Sequence, residues 1–163
     1  MLSIDVKVRK AKLKDVPGIT KLWQELIACH RKRCMYTGPI FAYKKNELSI
    51  YRKYITKCIR SRNHLVLVAE HDGAPVGYVN SAVAKLGGIL LHDKEVHVNG
   101  IFIKAGYRRK GIGTKFFAEI AKWGKRKKVF SIGLMCSVPN KDAFKSYRKL
   151  GFFEHHFKMS KII

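Results

Sequence analysis

Acidic residues are scarce. Only 11 Asp and Glu stand against 34 Lys and Arg, so the 163-residue chain carries a formal charge of +23. A field of that sign draws in polyanions and repels polycations, which argues against free polyamines as substrates and admits a polyanionic ligand or nucleic acid as partner. The basic residues are scattered along every segment instead of forming one tail, so a general basic background reads equally well. Cysteine is sparse too. Cys29, Cys34, Cys58 and Cys136 form no C-x-x-C pair, and Cys29, His30 and Cys34 match no zinc spacing, so reduced thiols and no bound metal are expected. There is no apolar run near the roughly 20 residues that a membrane-spanning helix needs. The opening MLSIDVKVRK alternates like a strand and lacks the hydrophobic core of a signal peptide, so a cytoplasmic protein is expected. Repeats, linkers and low-complexity tracts are absent. The apolar fraction of 47% excludes a disordered chain, and the length suits one domain over residues 1–163.

What is present concentrates in residues 96–128. Val96, Val98, Ile101, Phe102 and Ile103 read as a buried strand, with Asn99-Gly100 as a bulge inside it. A basic turn follows, Tyr107-Arg108-Arg109-Lys110-Gly111-Ile112-Gly113-Thr114. A helix then begins, with Ile112, Phe116, Ile120 and Trp123 at three- and four-residue spacing. Strand, glycine turn and helix start together make an anion cradle. Gly111 and Gly113 let the backbone approach a ligand, the free N–H groups and dipole of the helix start face it, and Arg108, Arg109 and Lys110 add charge. A pyrophosphate fits best. The turn lacks both the G-x-x-x-x-G-K-[ST] of a P-loop and the G-x-G-x-x-G of a dinucleotide fold.

The R-x-x-G-x-G pattern after a strand resembles the acetyl-CoA signature of the GNAT (GCN5-related) N-acetyltransferases. The segment NKDAFKSYRKLGF, from Asn140 through Ala143 and Tyr147 to Leu150-Gly151-Phe152, resembles that family's last helix and the strand after it. The resemblance implies an α/β GNAT fold: a mixed, mostly antiparallel sheet splayed at a bulged central strand and flanked by about four helices. It implies acetyl-CoA as cosubstrate. The pyrophosphate would lie on Arg108, Arg109, Lys110, Gly111, Ile112, Gly113 and Thr114, and the pantetheine arm on the backbone of Ile101, Phe102 and Ile103. An oxyanion donor is expected near Phe102 or Ile103. Asn140 would cap its helix and touch the CoA arm. Pairing through C-terminal strands, giving a homodimer, is also implied.

Hydrophobic periodicity outlines the rest. A first strand is expected over residues 3–10, then a helix capped by Asp15 with Pro17 in its first turn, running to about Cys29. Residues 31–43 read as a loop and residues 45–60 as a second helix. In the family this region borders the acceptor groove, which makes Tyr36, Phe41, Tyr43 and Tyr51 candidate walls; helix spacing assigns Tyr51 to the core instead. Strands are expected over 65–69 and 76–83 with a hairpin turn at 71–74, and a strand pair or one bent strand over 89–103. A helix over 113–127, a strand over 130–138, a helix over 141–150 ended by Gly151 and a final strand over 152–159 complete the order.

Acetyl transfer to an amine requires a neutral nucleophile, a stabilised carbonyl oxygen and a proton for the departing sulfur. By resemblance Tyr147 supplies that proton. His97 and Asn99, on one strand face by period two, stand where relatives carry the base; His92, Glu95 and Cys136 are weaker candidates. Ribosomal-protein-type N-terminal acetyltransferases carry a glutamate five residues before the asparagine, where this chain has Met135. The acceptor is a primary amine: a protein lysine, a protein N-terminus or a small molecule. A non-catalytic acyl-CoA-binding domain and a basic nucleic-acid-binding protein are the alternatives.

Overall fold

Five consecutive residues of one strand, Leu65 to Ala69, are all buried, so both faces of the sheet they belong to must be covered. The computed structural model describes residues 5–32, 42–156 and 158–161. Within them a five-stranded sheet runs in the order β1 (Lys7–Lys10), β2 (His64–His71), β3 (Ala74–Lys85), β4 (Lys94–Ile103) and β5 (Ser131–Leu134). The first four are antiparallel neighbours and β5 runs parallel to β4. Asp72 and Gly73 both have positive φ in the two-residue β2–β3 turn, the geometry of a type I′ hairpin.

Alternation sorts the core into two layers. Leu65, Leu67, Val79, Val96 and Val98 face α3 (Ile112–Arg126), whose Phe116, Phe117, Ile120 and Trp123 are buried against them. Val66, Val68 and Tyr78 face α1 (Val16–Lys32) and α2 (Glu47–Arg60), meeting Ile19, Leu22 and Ile55. The remaining helix, α4 (Lys141–Lys149), follows β5. Asn140 accepts a hydrogen bond from the Ala143 N–H at 3.4 Å to start it, and Gly151 at φ 88° lies just past its end.

Several expectations need correction. Asp15 does not cap α1: its carboxylate is taken by the Lys12 N–H at 2.7 Å and by two donors of Arg9 at 2.7 and 2.9 Å. It sits in a 3-10 turn (Leu13–Asp15), and α1 extends beyond Cys29 to Lys32. Residues 152–156 and 158–161 belong to no strand; Phe152 turns onto Phe117 and Tyr147, while Phe153 stays exposed, and among the described residues β5 has no second strand neighbour. The strand expected over 130–138 is confined to Ser131–Leu134; over 89–103 the single-strand alternative is the one formed, with Lys94 as its first residue. Among the described residues no helix is long and apolar enough to cross a membrane.

Arg9 also donates to Glu70 on β2, so one guanidinium ties β1, the 3-10 turn and β2 together. Its paired donors hold the Asp15 carboxyl below the usual carboxylate range. The unfolded chain then binds a proton more readily than the folded one, so this contribution is full above the ordinary value of 3.8 and disappears as pH falls through the lower folded value. Asp15→Asn should cost about 2 kcal/mol of unfolding free energy at neutral pH. In denaturant titrations repeated in acid, the gap between variant and wild type should close.

Candidate active site

The β3–β4 register breaks between Asn80, opposite Gly100, and Ser81, opposite Val98, which leaves Asn99 as the inserted residue of a bulge. An insertion of one residue inverts the alternation. Before the bulge, Val96 and Val98 face α3; beyond it, Phe102 faces α1 and α2, while Ile101 and Ile103 turn to the α3 side. On the other edge of β4, pairing with β5 ends at Val98–Leu134. The two strands part there. The Lys104 N–H donates to the Val76 carbonyl at 3.0 Å, so by alternation Ile101 and Ile103 aim their backbone groups into the gap. The Phe102 backbone faces β3, opposite Tyr78, and its ring is in the core. That corrects the expectation for Phe102: it is a wall, and Ile103 is the better-directed N–H. Arg108 donates through Nε to the Ile103 carbonyl at 2.9 Å and lies over the Phe102 ring, closing the outer end of the gap.

The cradle stands beside that end. Gly111 has φ 75° and ψ 1°, a left-handed conformation that places it just before α3 and explains the glycine. The first helical carbonyl to be used is that of Gly111, by Lys115 at 3.0 Å, so the N–H groups of Ile112, Gly113 and Thr114 carry no helical bond. Buried Ile112 anchors the helix start in the core and offers only its backbone. At Gly113 an added Cβ would meet no protein atom within 4 Å, so nothing inside the protein requires a glycine there. Arg109 and Lys110 are exposed, and among the described residues no carboxylate pairs with them.

On the α1/α2 face of β4, the His97 ring nitrogen Nδ1 lies 2.7 Å from Glu95 Oε1. A carboxylate only accepts, so Nδ1 is the donor and the neutral ring keeps its lone pair on Nε2. Gly133 of β5 pairs with His97, and a Cβ there would overlap the Glu95 carboxylate. A glycine opposite is thus what allows the two side chains to meet. Asn99 is not the partner: displaced by the bulge, it is exposed and outside the strict alternation that would have set it beside His97. Asn80, opposite Gly100 and on the same face as His97, is buried; its Nδ2 donates to Tyr54 Oη at 3.0 Å while its Oδ1 has no partner.

Tyr147 lies on the other side of the sheet. Its ring meets Phe117 and Phe152 edge-on, with centroids 6.0 and 5.8 Å away. Burial, reinforced by nearby Cys136, pushes its hydroxyl up to about 12, so it is a phenol with a proton to give at neutral pH. Burial also raises the Cys136 thiol, which disfavours the thiolate that a covalent route needs. His92 stacks on Phe130 at 4.1 Å, at the end of the sheet where β4 begins, remote from the gap.

Of the aromatic walls, Tyr51 stacks on Trp23 at 4.3 Å and belongs to the core. Tyr43 is more open, edge-on to Trp23 with Arg31 over its ring. Tyr36 and Phe41 lie outside the described residues. Among the described residues no group of three His, Cys, Asp or Glu is placed to hold a metal. Glu95 is a weak candidate by sequence, and Asn80 and Gly133 carry no signal there. The i, i+2 spacing of Glu95 and His97 on one strand was the available signal; the others depend on register.

The profile of the acetyltransferase (GNAT) family matches residues 20–152. An uncharacterized N-acetyltransferase of Methanocaldococcus jannaschii is 29% identical over 115 residues, covering 70% of this chain and 49% of that protein. The chain therefore spans about half the length of the curated relative it matches. Among solved structures, a tetramutant of the BH1408 protein from Bacillus halodurans superposes with a TM-score of 0.80 at 21% identity, covering 96% of this chain and 99% of the other. The aminoglycoside acetyltransferase AAC(6')-Iy, solved with the bisubstrate analogue CoA-S-monomethyl-acetylneamine, gives a TM-score of 0.74 at 15% identity and 98% coverage of both chains. At these identities the two structures establish the shared fold.

The burial of Tyr147 has a spectroscopic consequence. The phenolate absorbance lost in Tyr147→Phe, taken as the difference from wild type, should develop only toward about pH 12. Development near the ordinary value of 10.0 would mean that the hydroxyl is solvated.

Proposed function

The chain belongs to the acetyltransferase (GNAT) family, and we propose that it moves an acetyl group from acetyl-CoA to a primary amine by direct attack. The observation that carries this reading is the parting of β4 from β5 immediately before a helix start whose N–H groups are unspent. The residues suit a CoA-like ligand. The left-handed Gly111, the open space at Gly113 and the uncompensated Arg109 and Lys110 fit a pyrophosphate, and the backbone groups of Ile101 and Ile103 in the gap fit an amide-bearing arm. Asn140, whose side chain starts α4, stands next in line for that arm.

Acetyl-CoA supplies an activated thioester. His97 takes the proton of the incoming amine on Nε2, and Glu95 fixes the tautomer and orientation that leave Nε2 free to do so. The Ile103 N–H stabilises charge on the carbonyl oxygen. Tyr147 gives its hydroxyl proton to the departing sulfur. Asn80 Oδ1, an unspent acceptor on the His97 face, suits an N–H of the amine substrate. Residues 1–163 are read as one catalytic domain. A homodimer is consistent with β5 having one strand neighbour and with the exposure of Phe153 and Met159.

The decisive assay is detection of free thiol released from acetyl-CoA across a screen of small amines, peptides and basic proteins. Acceptor-dependent release is expected; CoA binding without release on any of them would favour a non-catalytic acyl-CoA-binding domain. Two variants divide the site. Gly113→Ala should keep or raise the melting temperature, because alanine is favoured in a helix by about 0.5–1 kcal/mol. It should nevertheless weaken CoA binding about tenfold or more by calorimetry, a loss of about 1.4 kcal/mol. His97→Gln should lower kcat by roughly 10²–10⁴-fold and leave CoA affinity unchanged. Glu95→Gln should give a smaller loss, confined to kcat.

A further inference from the structure

Five stretches of 20 or more residues contain no Asp or Glu, and two of them are residues 48–69 and 120–141. The fold brings these two together. The C-terminal end of α2, the start of β2 and the C-terminal end of α3 surround a cleft of about 430 Å³ whose wall includes Lys10, Arg62, Arg126 and Lys127 but no carboxylate. His64, also in that wall, has its Nδ1 buried with no hydrogen-bond partner. Next to it, the outer face of α2 presents Arg52, Lys53, Lys57 and Arg60 around Thr56, again without a carboxylate. Among the described residues none of these cations forms an ion pair; the Lys127 ammonium lies 5.9 Å from the Trp123 ring centroid.

Helix-dipole compensation does not account for so many. Each helix C-terminus is equivalent to roughly half a negative charge, so a single cation would balance both ends. A lone phosphate would occupy only part of the cleft and leave the α2 stripe unused. The stripe runs from Arg52 to Arg60, about 12 Å of the helix axis at 1.5 Å per residue. A duplex carries roughly one negative charge for every 1.7 Å of its axis, so a track of that length meets several phosphates at once.

We infer that the cleft between the C-terminal ends of α2 and α3, with the basic stripe of α2, is a docking track for the phosphodiester backbone of nucleic acid. The track offers charge and no base-reading constellation, so the binding is independent of sequence. It also leaves the candidate active site clear. The glycine cradle and the cleft lie at opposite ends of the 15-residue α3, about 22 Å apart along its axis. An acceptor amine carried by something assembled on nucleic acid could therefore reach the β4–β5 gap while the track is engaged.

The test is fluorescence anisotropy of a short labelled DNA duplex of arbitrary sequence, titrated with the full chain at several salt concentrations. Log K should fall linearly with log salt, with a slope near −0.9 for each phosphate engaged. Replacing Arg60, Arg62, Arg126 and Lys127 by alanine should weaken binding at least about tenfold and flatten the slope by about 3.6. A matched variant with alanine at Lys14, Lys21, Lys145 and Lys149 removes the same charge from other surfaces and should stay within about threefold of wild type. Arg62→Lys with Arg126→Lys keeps the charge and should bind like wild type, which separates loss of the track from loss of the fold. Equal losses in the two alanine variants would mean that net charge alone does the binding and would overturn the track. So would an absence of binding by wild type, or anionic phospholipid vesicles that displace the duplex and bind through the same four residues.

Discussion

The parting of β4 from β5 depends on one inserted residue. Asn99 occupies a place in β4 that has no counterpart in β3, and every side chain after it changes face. The ring of Phe102 is thereby committed to the α1/α2 layer, and Ile101 and Ile103 to the α3 layer. A bulge also increases local twist, and β5 holds its parallel register only from Glu95–Ser131 to Val98–Leu134. The backbone groups freed beyond that point cannot stay buried without partners at acceptable cost. Arg108 satisfies one of them, the Ile103 carbonyl. The others face the gap.

The same gap separates two chemical environments. On the α3 side, Tyr147 sits among aromatic rings, and burial keeps its proton on the hydroxyl far above neutral pH. On the α1/α2 side, the Glu95 carboxylate holds an imidazole in one tautomer. The sheet lies between the two groups. Gly133 belongs to this arrangement as much as the charged groups do, since any larger residue would displace Glu95. The Glu95–His97 contact and the end of the β4–β5 ladder both depend on β5, on the glycine it carries opposite His97 and on its last pair at Leu134.

How much of this could be read in the sequence follows from the range of the interactions. The glycine turn was legible because its requirements are local: positive φ at Gly111, cations on either side and an apolar helical stripe beginning at Ile112. The bulge was legible from Asn99-Gly100, and the helices from their periodicity. The Glu95–His97 contact needed the absence of a side chain on another strand, and nothing near residue 95 announces Gly133. The carboxylate of Asp15 had two possible partners, α1 and Arg9, and only the tertiary fold decides between a helix cap and a bridge to β2. Residues 152–159 have the composition of a strand. A strand also needs an edge to pair with, and here Phe152 is drawn onto Phe117 and Tyr147 while Phe153 faces solvent.

The charge has to be argued at the level of surfaces, because screening limits how far any one cation acts. At physiological ionic strength the Debye length is about 8 Å, so the two ends of α3 are electrostatically separate. At the N-terminal end, Arg109 and Lys110 add to the positive end of the helix dipole, and a bound anion gains from both. At the C-terminal end the dipole opposes anion binding, and a cationic surface forms there only by overcoming it. The residues in the last turn of α3, Lys125 and Arg126, and those in the last turn of α2, Lys57 and Arg60, do so with charge to spare. A basic background would spread cations over this fold without regard to its acids. Acid-free runs of this length recur along the chain, so what matters is that two of them rich in Lys and Arg meet in space, as a partner bearing regularly spaced phosphates would require.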